Sequence, residues 1–207
     1  MTAHLVKTIW MHPRSTIRNI VANDSEYGVF PLTLLAGALV ASVEVMGRQG
    51  DGNLPVALIL ALALLAGPVQ AFVSLYLGGW LLSLSGRWFG GSATTAELRA
   101  AIAWSNAPVV AGGVAWWVFV ALEPLIGTGD AFTLLANAVW LLLFAWGYAM
   151  LVFLLAAVQH FSLWKSAMIL AGLWAGLVGF VLAIAAIGVS GFTSMLDSSF
   201  LGMSGAP

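Results

Sequence analysis

Cysteine is absent from all 207 residues. Its absence removes disulfides, thiol nucleophiles and thiolate metal sites, and says nothing of redox compartment. Charge is nearly as scarce. Seven Lys and Arg and eight Asp and Glu make up only 7% of the chain, where a soluble globular domain carries about a quarter. So few ionised groups cannot cover a water-facing surface of this length. The formal net charge of −1 supplies no basic field for nucleic acid, which excludes that class of partner. The three histidines, His4, His12 and His160, are far apart in sequence. No metal-ligand spacing, catalytic pair or triad can be assembled, so no cofactor and no enzymatic activity are expected.

What the chain has in abundance is apolar surface: 61% of residues are hydrophobic and the mean hydropathy is +1.01. Crossing an apolar layer of about 30 Å takes roughly 20 helical residues. Five stretches qualify, at 28–46, 55–84, 96–122, 132–158 and 164–189. Their apolar runs are continuous rather than alternating, which argues against a membrane β-barrel. The expected fold class is therefore an all-α membrane protein with five transmembrane helices, forming a single membrane domain over 1–207. Two of the spans carry interruptions, at Gly67-Pro68 and at Asn106-Ala107-Pro108, and a kink is expected at each. Residues 191–207, rich in Ser and Gly, read as a flexible extracytoplasmic tail.

Lys and Arg set orientation. With the N-terminus inside, the cytoplasmic segments hold Lys7, Arg14, Arg18, Arg87, Arg99 and Lys165, and the outer segments hold only Arg48. Trp10, Trp88 and Trp164 fall at the level of the inner interface, which amphipathic rings prefer. The sequence thus places the N-terminus on the cytoplasmic side and the C-terminus on the extracytoplasmic side. Residues 1–27 lack the uninterrupted apolar core of a signal peptide and are expected to be retained. Within them Ile17, Ile20 and Val21 share a helical face that Arg14 and Arg18 flank, behind Pro13 at a first helical position. That pattern predicts an N-terminal interfacial helix held by apolar contact and by anionic lipid.

Polar residues inside the apolar runs are the candidates for ion handling. Glu44 stands one turn before Arg48 and can pair with it on one helix face. Gln70 follows the Gly67-Pro68 interruption, Asn106 opens the second one, and Asn137 sits early in the fourth span. Together they would line a polar route, or separately they would fix helix packing through interhelical hydrogen bonds. Gly172 and Gly176 form a small-xxx-small pair suited to close helix approach, within the bundle or between protomers. Thr94 and Glu97 match a capping box that starts the third span, after a Gly90-Gly91 turn.

The segments "MHPRSTIRNI", "GRWFGGSATTAELRAAIAWSNAP" and "VQHFSLWKSAMIL", in that order and in that relation to the spans, resemble bacterial members of the Yip1 membrane-protein family. The matched features are a Pro followed by Thr16 and Ile20, the Gly90-Gly91 turn, the run to Pro108 and the basic residue Lys165. The resemblance implies a multi-pass protein of the cell inner membrane, with five spans and a cytoplasmic N-terminus, and brings no catalytic residues. The expectation is a non-enzymatic polytopic protein that organises membrane or binds lipids, partner membrane proteins or a second copy of itself. Arg14, Arg18, Arg87, Arg99 and Lys165 are its candidate lipid or partner contacts. The alternative is a small transporter or channel routed past Glu44, Gln70, Asn106 and Asn137.

Overall fold

A computed structural model describes residues 2–47, 55–126 and 130–203. They form α1 (Thr2–Met11), α2 (Pro13–Asn23), α3 (Val29–Gly47), α4 (Val56–Phe72), a π-helical segment (Val73–Leu77), α5 (Gly78–Trp88), α6 (Thr95–Ser105), α7 (Ala107–Ile126), α8 (Asp130–Val158) and α9 (Leu163–Met203). Five helical stretches are long and apolar enough to cross a membrane: Val29–Met46, Leu60–Trp88, Thr95–Leu125, Phe132–Val158 and Leu163–Ile187. Among the described residues there is no strand. The chain divides into two compact units, Met1–Ala167 and Met168–Pro207.

In the first unit the centre is α6. Leu98, Ala100, Ala101, Ala103 and Trp104 are all buried, and the helix packs against α2, α3, α5 and α8. Its start is chemically defined. The Thr94 hydroxyl accepts from the Glu97 backbone N–H at 3.3 Å, and the Glu97 carboxylate accepts from the Thr94 N–H at 2.7 Å, the expected capping box. Its end is Asn106, where the backbone leaves the helix before α7 resumes at Ala107. The interruption expected at Asn106-Pro108 is therefore present, because Pro108 has no N–H to continue the ladder.

The second span behaves differently. Helix α4 runs unbroken through Gly67 and Pro68, and the irregular turn lies further on, in the π-helical segment at Val73–Leu77. Gly67 does something else: it lets the α4 backbone touch α3. A Cβ on Gly67 would lie 2.6 Å from the Ala38 Cα, and one on Gly37 would lie 2.5 Å from the Gly67 carbonyl oxygen. Similar close approaches bring Gly113 against Leu39 and Gly147 against Val109, joining α7 to α3 and to α8.

The short N-terminal helix is present, with Pro13 at its first turn. Its apolar face does not lie on lipid. Ile17 is fully buried and Ile20 is 4% exposed, and α2 packs on α8 and α6. Apolar side chains gain more by filling a cleft between helices than by resting on a wet headgroup layer. Arg14 and Arg18 stay exposed on the outer side of the same helix. In the second unit, α9 continues through Met203, past the Gly191 at which the sequence suggested a loosely ordered tail. Leu177, Phe180, Val181, Leu182, Ile184 and Ile187 are exposed along it, which suits a lipid-facing span.

Candidate functional site at the basic end of the first unit

The ends of α5 and α8 and the starts of α3, α6 and α9 meet where the basic residues gather. Both α5 and α8 stop in turns of the same construction. At the end of α5 the Gly91 N–H donates to the Gly86 carbonyl at 2.8 Å and the Gly90 N–H donates to the Arg87 carbonyl at 3.0 Å. Gly90 adopts φ +80°. These bonds define a Schellman turn. At the end of α8 the Phe161 N–H donates to the Ala156 carbonyl at 3.0 Å, and His160 takes the left-handed position at φ 57°. Replacing Gly90 with Ala should cost about 1–2 kcal/mol, because nothing but backbone conformation opposes it; a Cβ there meets no atom within 4 Å. Thermal unfolding of Gly90→Ala beside Gly90→Asn checks this, with Asn the milder change.

The two turns are locked by one side chain. Gln159 is 3% exposed and its amide lies against Gly86 and Gly91 so closely that a Cβ on either would overlap it. Its Nε2 donates to the Leu82 carbonyl at 3.3 Å. Among the described residues its Oε1 is buried with no hydrogen-bond partner, as is the Ser166 hydroxyl. From the start of α9, Lys165 Nζ donates to the Phe89 carbonyl at 2.5 Å and stands 4.5 Å over the Phe161 ring. The Ser162 hydroxyl caps that helix by accepting from the Lys165 N–H.

A second set of contacts fixes the turn between α2 and α3. The Asp24 carboxylate accepts from the Glu26 N–H at 3.0 Å, and Gly28 turns at φ +70°. The Trp104 indole donates to the Tyr27 carbonyl at 3.1 Å, and its ring is stacked with the Tyr27 ring. Arg99 pairs with Glu26 at 2.5 Å and lies 5.3 Å over the Tyr76 ring.

The basic residues read from the sequence therefore divide into two kinds. Arg99 and Lys165 make contacts within the protein that hold turns, and both stay partly exposed. Arg14, Arg18 and Arg87 are exposed and make no ion pair among the described residues. Trp88 and Phe89, which follow Arg87 in the chain, are 76% and 47% exposed, and Trp164 is 76% exposed, a composition suited to the boundary between hydrocarbon and headgroups.

The polar candidates occupy separate places. Glu44 is exposed near the end of α3, and Arg48 lies outside the described residues. Gln70 is exposed on α4, while Asn106 is the half-buried junction of α6 and α7. Asn137 accepts from the Trp116 indole at 3.1 Å, and Trp117 donates to Ser42 at 2.8 Å, so this layer is tied by interhelical hydrogen bonds. Gly172 and Gly176 lie on α9 in the second unit, where a Cβ on either meets no other atom of that unit within 4 Å. No group of His, Asp and Glu among the described residues can hold a metal ion.

Sequence reasoning missed Gln159, Glu26 and the Gly37–Gly67 crossing. A glutamine closing an apolar run and followed by His160 was the available signal for the first. The other two are pairings across 73 residues and between two long apolar helices, which no local pattern marks. No match is found among curated proteins or among solved structures. The family model for the Yip1 domain, by contrast, matches residues 7–187, which takes in the five spans and both turns at the basic end, and on that match the chain belongs to the Yip1 family.

Proposed function

We propose that the protein is a non-enzymatic membrane organiser whose basic end lies at the cytoplasmic face of the cell inner membrane and gathers anionic lipid. The observation that carries this reading is the division among its cations. Internal contacts hold the turns, and Arg14, Arg18 and Arg87 are left exposed, as are Trp88 and Trp164. A polybasic cluster at a membrane surface attracts anionic lipid at about 1 kcal/mol per residue. Three such residues together supply about 3 kcal/mol, roughly two decades in local lipid enrichment. The same surface suits the acidic cytoplasmic segment of a partner membrane protein.

The test is lipid enrichment around the full chain in bilayers that mix phosphatidylcholine with phosphatidylglycerol. Native mass spectrometry of the lipids retained by the protein reads the preference. The expected result is strong retention of phosphatidylglycerol by the unmodified chain and loss of that preference on Arg14→Gln, Arg18→Gln and Arg87→Gln together. Unchanged retention in the triple variant overturns the proposal.

A further inference from the structure

A shallow apolar groove opens between α3 and the α4 to π-helical turn, lined by Phe30, Thr33, Leu34, Ala71, Phe72 and Leu75. Its floor is dry. Thr33, Ala71 and Leu75 are buried, and the Thr33 hydroxyl is satisfied by the Val29 carbonyl at 2.8 Å. Its rim is aromatic: Phe30 meets Phe72 edge-on at 5.7 Å, and Phe72 stacks with Tyr76 at 5.8 Å. That row of rings leads to a charged pair, since Tyr76 carries Arg99 over its face and Arg99 is paired with Glu26. The pair sits where the spans end, just before Val29 and just after Thr95. Both members reach the surface, with side-chain exposures of 23% for Arg99 and 56% for Glu26. The chain is widest-turned here, too: π-helical turns recur at functional sites because they push a backbone out of register.

From this juxtaposition we infer that the groove holds one acyl chain of a phosphatidylethanolamine-type lipid, whose headgroup lies on the Arg99 and Glu26 pair. The chemistry selects the occupant. Arg99 has further N–H donors beyond the one used on Glu26 and can donate to a phosphate. The Glu26 carboxylate can accept from a primary ammonium. A purely anionic headgroup would bring its charge beside that carboxylate, and a quaternary ammonium has no N–H to donate. Glu26 lies in the turn before α3, and Leu34 lies about 7.5 Å of helix rise beyond the helix start at Val29, so a chain hanging from the pair passes along the groove. This site is separate from Arg14, Arg18 and Arg87 and stands or falls independently of the anionic-lipid reading.

The experiment uses the full chain in phosphatidylcholine bilayers with a trace of phosphatidylethanolamine carrying a diazirine in mid-acyl chain. After irradiation, peptide mass spectrometry locates the adducts. The expected adducts concentrate on 30–34 and 71–75. Unlabelled phosphatidylethanolamine competes them away, and phosphatidylglycerol and water-soluble phosphoethanolamine do not. Leu34→Trp, which fills the groove, should lower adducts there about tenfold, and Glu26→Gln, which removes one charge-assisted contact, should lower them by a similar factor. If Leu34→Trp fails to fold, Phe72→Ala, which removes an exposed wall of the groove, gives the same readout. Adducts spread evenly over the five spans, or equal competition by phosphatidylglycerol or by phosphoethanolamine alone, overturn the inference.

Discussion

Replacing Gly67 with Ala lowers the stability of the folded protein by about 3 kcal/mol, the upper part of the range for overpacking a tight contact. The new Cβ would lie 2.6 Å from the Cα and 2.7 Å from the N of Ala38. Both are backbone atoms of another helix, so no rotamer change relieves the clash and α4 must move off α3 as a body. Close backbone approach is the main source of helix association in lipid, where burial of apolar surface drives little. Thermal unfolding in detergent measures the loss. Gly172→Ala is the matched control: a Cβ there meets nothing within 4 Å, so its effect should stay within about 0.5 kcal/mol. A large loss at Gly172 would instead reveal that its face is covered in the assembled protein.

Gly86→Ala should also destabilise, by about 2–3 kcal/mol, and here the loss is conditional on another residue. The three nearest atoms that a Cβ on Gly86 would meet all belong to the Gln159 amide. With Gln159→Ala in place the obstruction is gone, and Gly86→Ala then gains the helix propensity of Ala over Gly, about 1 kcal/mol. The sign of the substitution therefore reverses between the two backgrounds. Gln159→Ala alone is mild, because it gives up one 3.3 Å hydrogen bond and also removes a buried oxygen that has no partner. A double-mutant cycle read by unfolding temperature checks this. Equal losses in both backgrounds would show that the Gln159 amide does not lock the α5 and α8 turns.

Local chemistry was legible from the sequence where it acts over a few residues. The five spans follow from run length, the start of α6 from Thr94 and Glu97, and its end from Asn106 and Pro108. Pro13 correctly marked the first turn of α2. What failed to be legible was tertiary in origin. The α2 face of Ile17 and Ile20 has the same periodicity whether it meets lipid or protein, and only the presence of α6 and α8 decides. Gly67 and Gly172 both look like small residues in apolar runs. One abuts a backbone and the other does not, a difference that needs the neighbouring helix to be known. Pro68 suggested a kink, yet the irregular turn falls at Val73–Leu77, past the point where α3 holds α4.

The same distinction sharpens the candidate site. Six basic residues at one end looked alike in sequence, and among the five candidate contacts the fold separates those that hold turns from those left exposed. Glu26 and Tyr76 claim Arg99, and the Phe89 carbonyl and Phe161 ring claim Lys165. Arg14, Arg18 and Arg87 are then the residues through which this Yip1 family member is proposed to act on the membrane. Asn137 has a different use again, accepting from Trp116 to bind α7 to α8.

Every part of the functional reading depends on which side of the membrane the basic end occupies. The natural absence of cysteine makes that measurable with single substitutions at exposed positions. Ser15→Cys and Ser92→Cys report the basic end, and Glu123→Cys reports the opposite end of α7. Each variant is treated with a membrane-impermeant maleimide on sealed cells and again after permeabilisation. The account predicts labelling of Glu123→Cys in sealed cells, and of Ser15→Cys and Ser92→Cys only once the membrane is opened. Labelling of Ser15→Cys and Ser92→Cys in sealed cells, with Glu123→Cys protected, would contradict it.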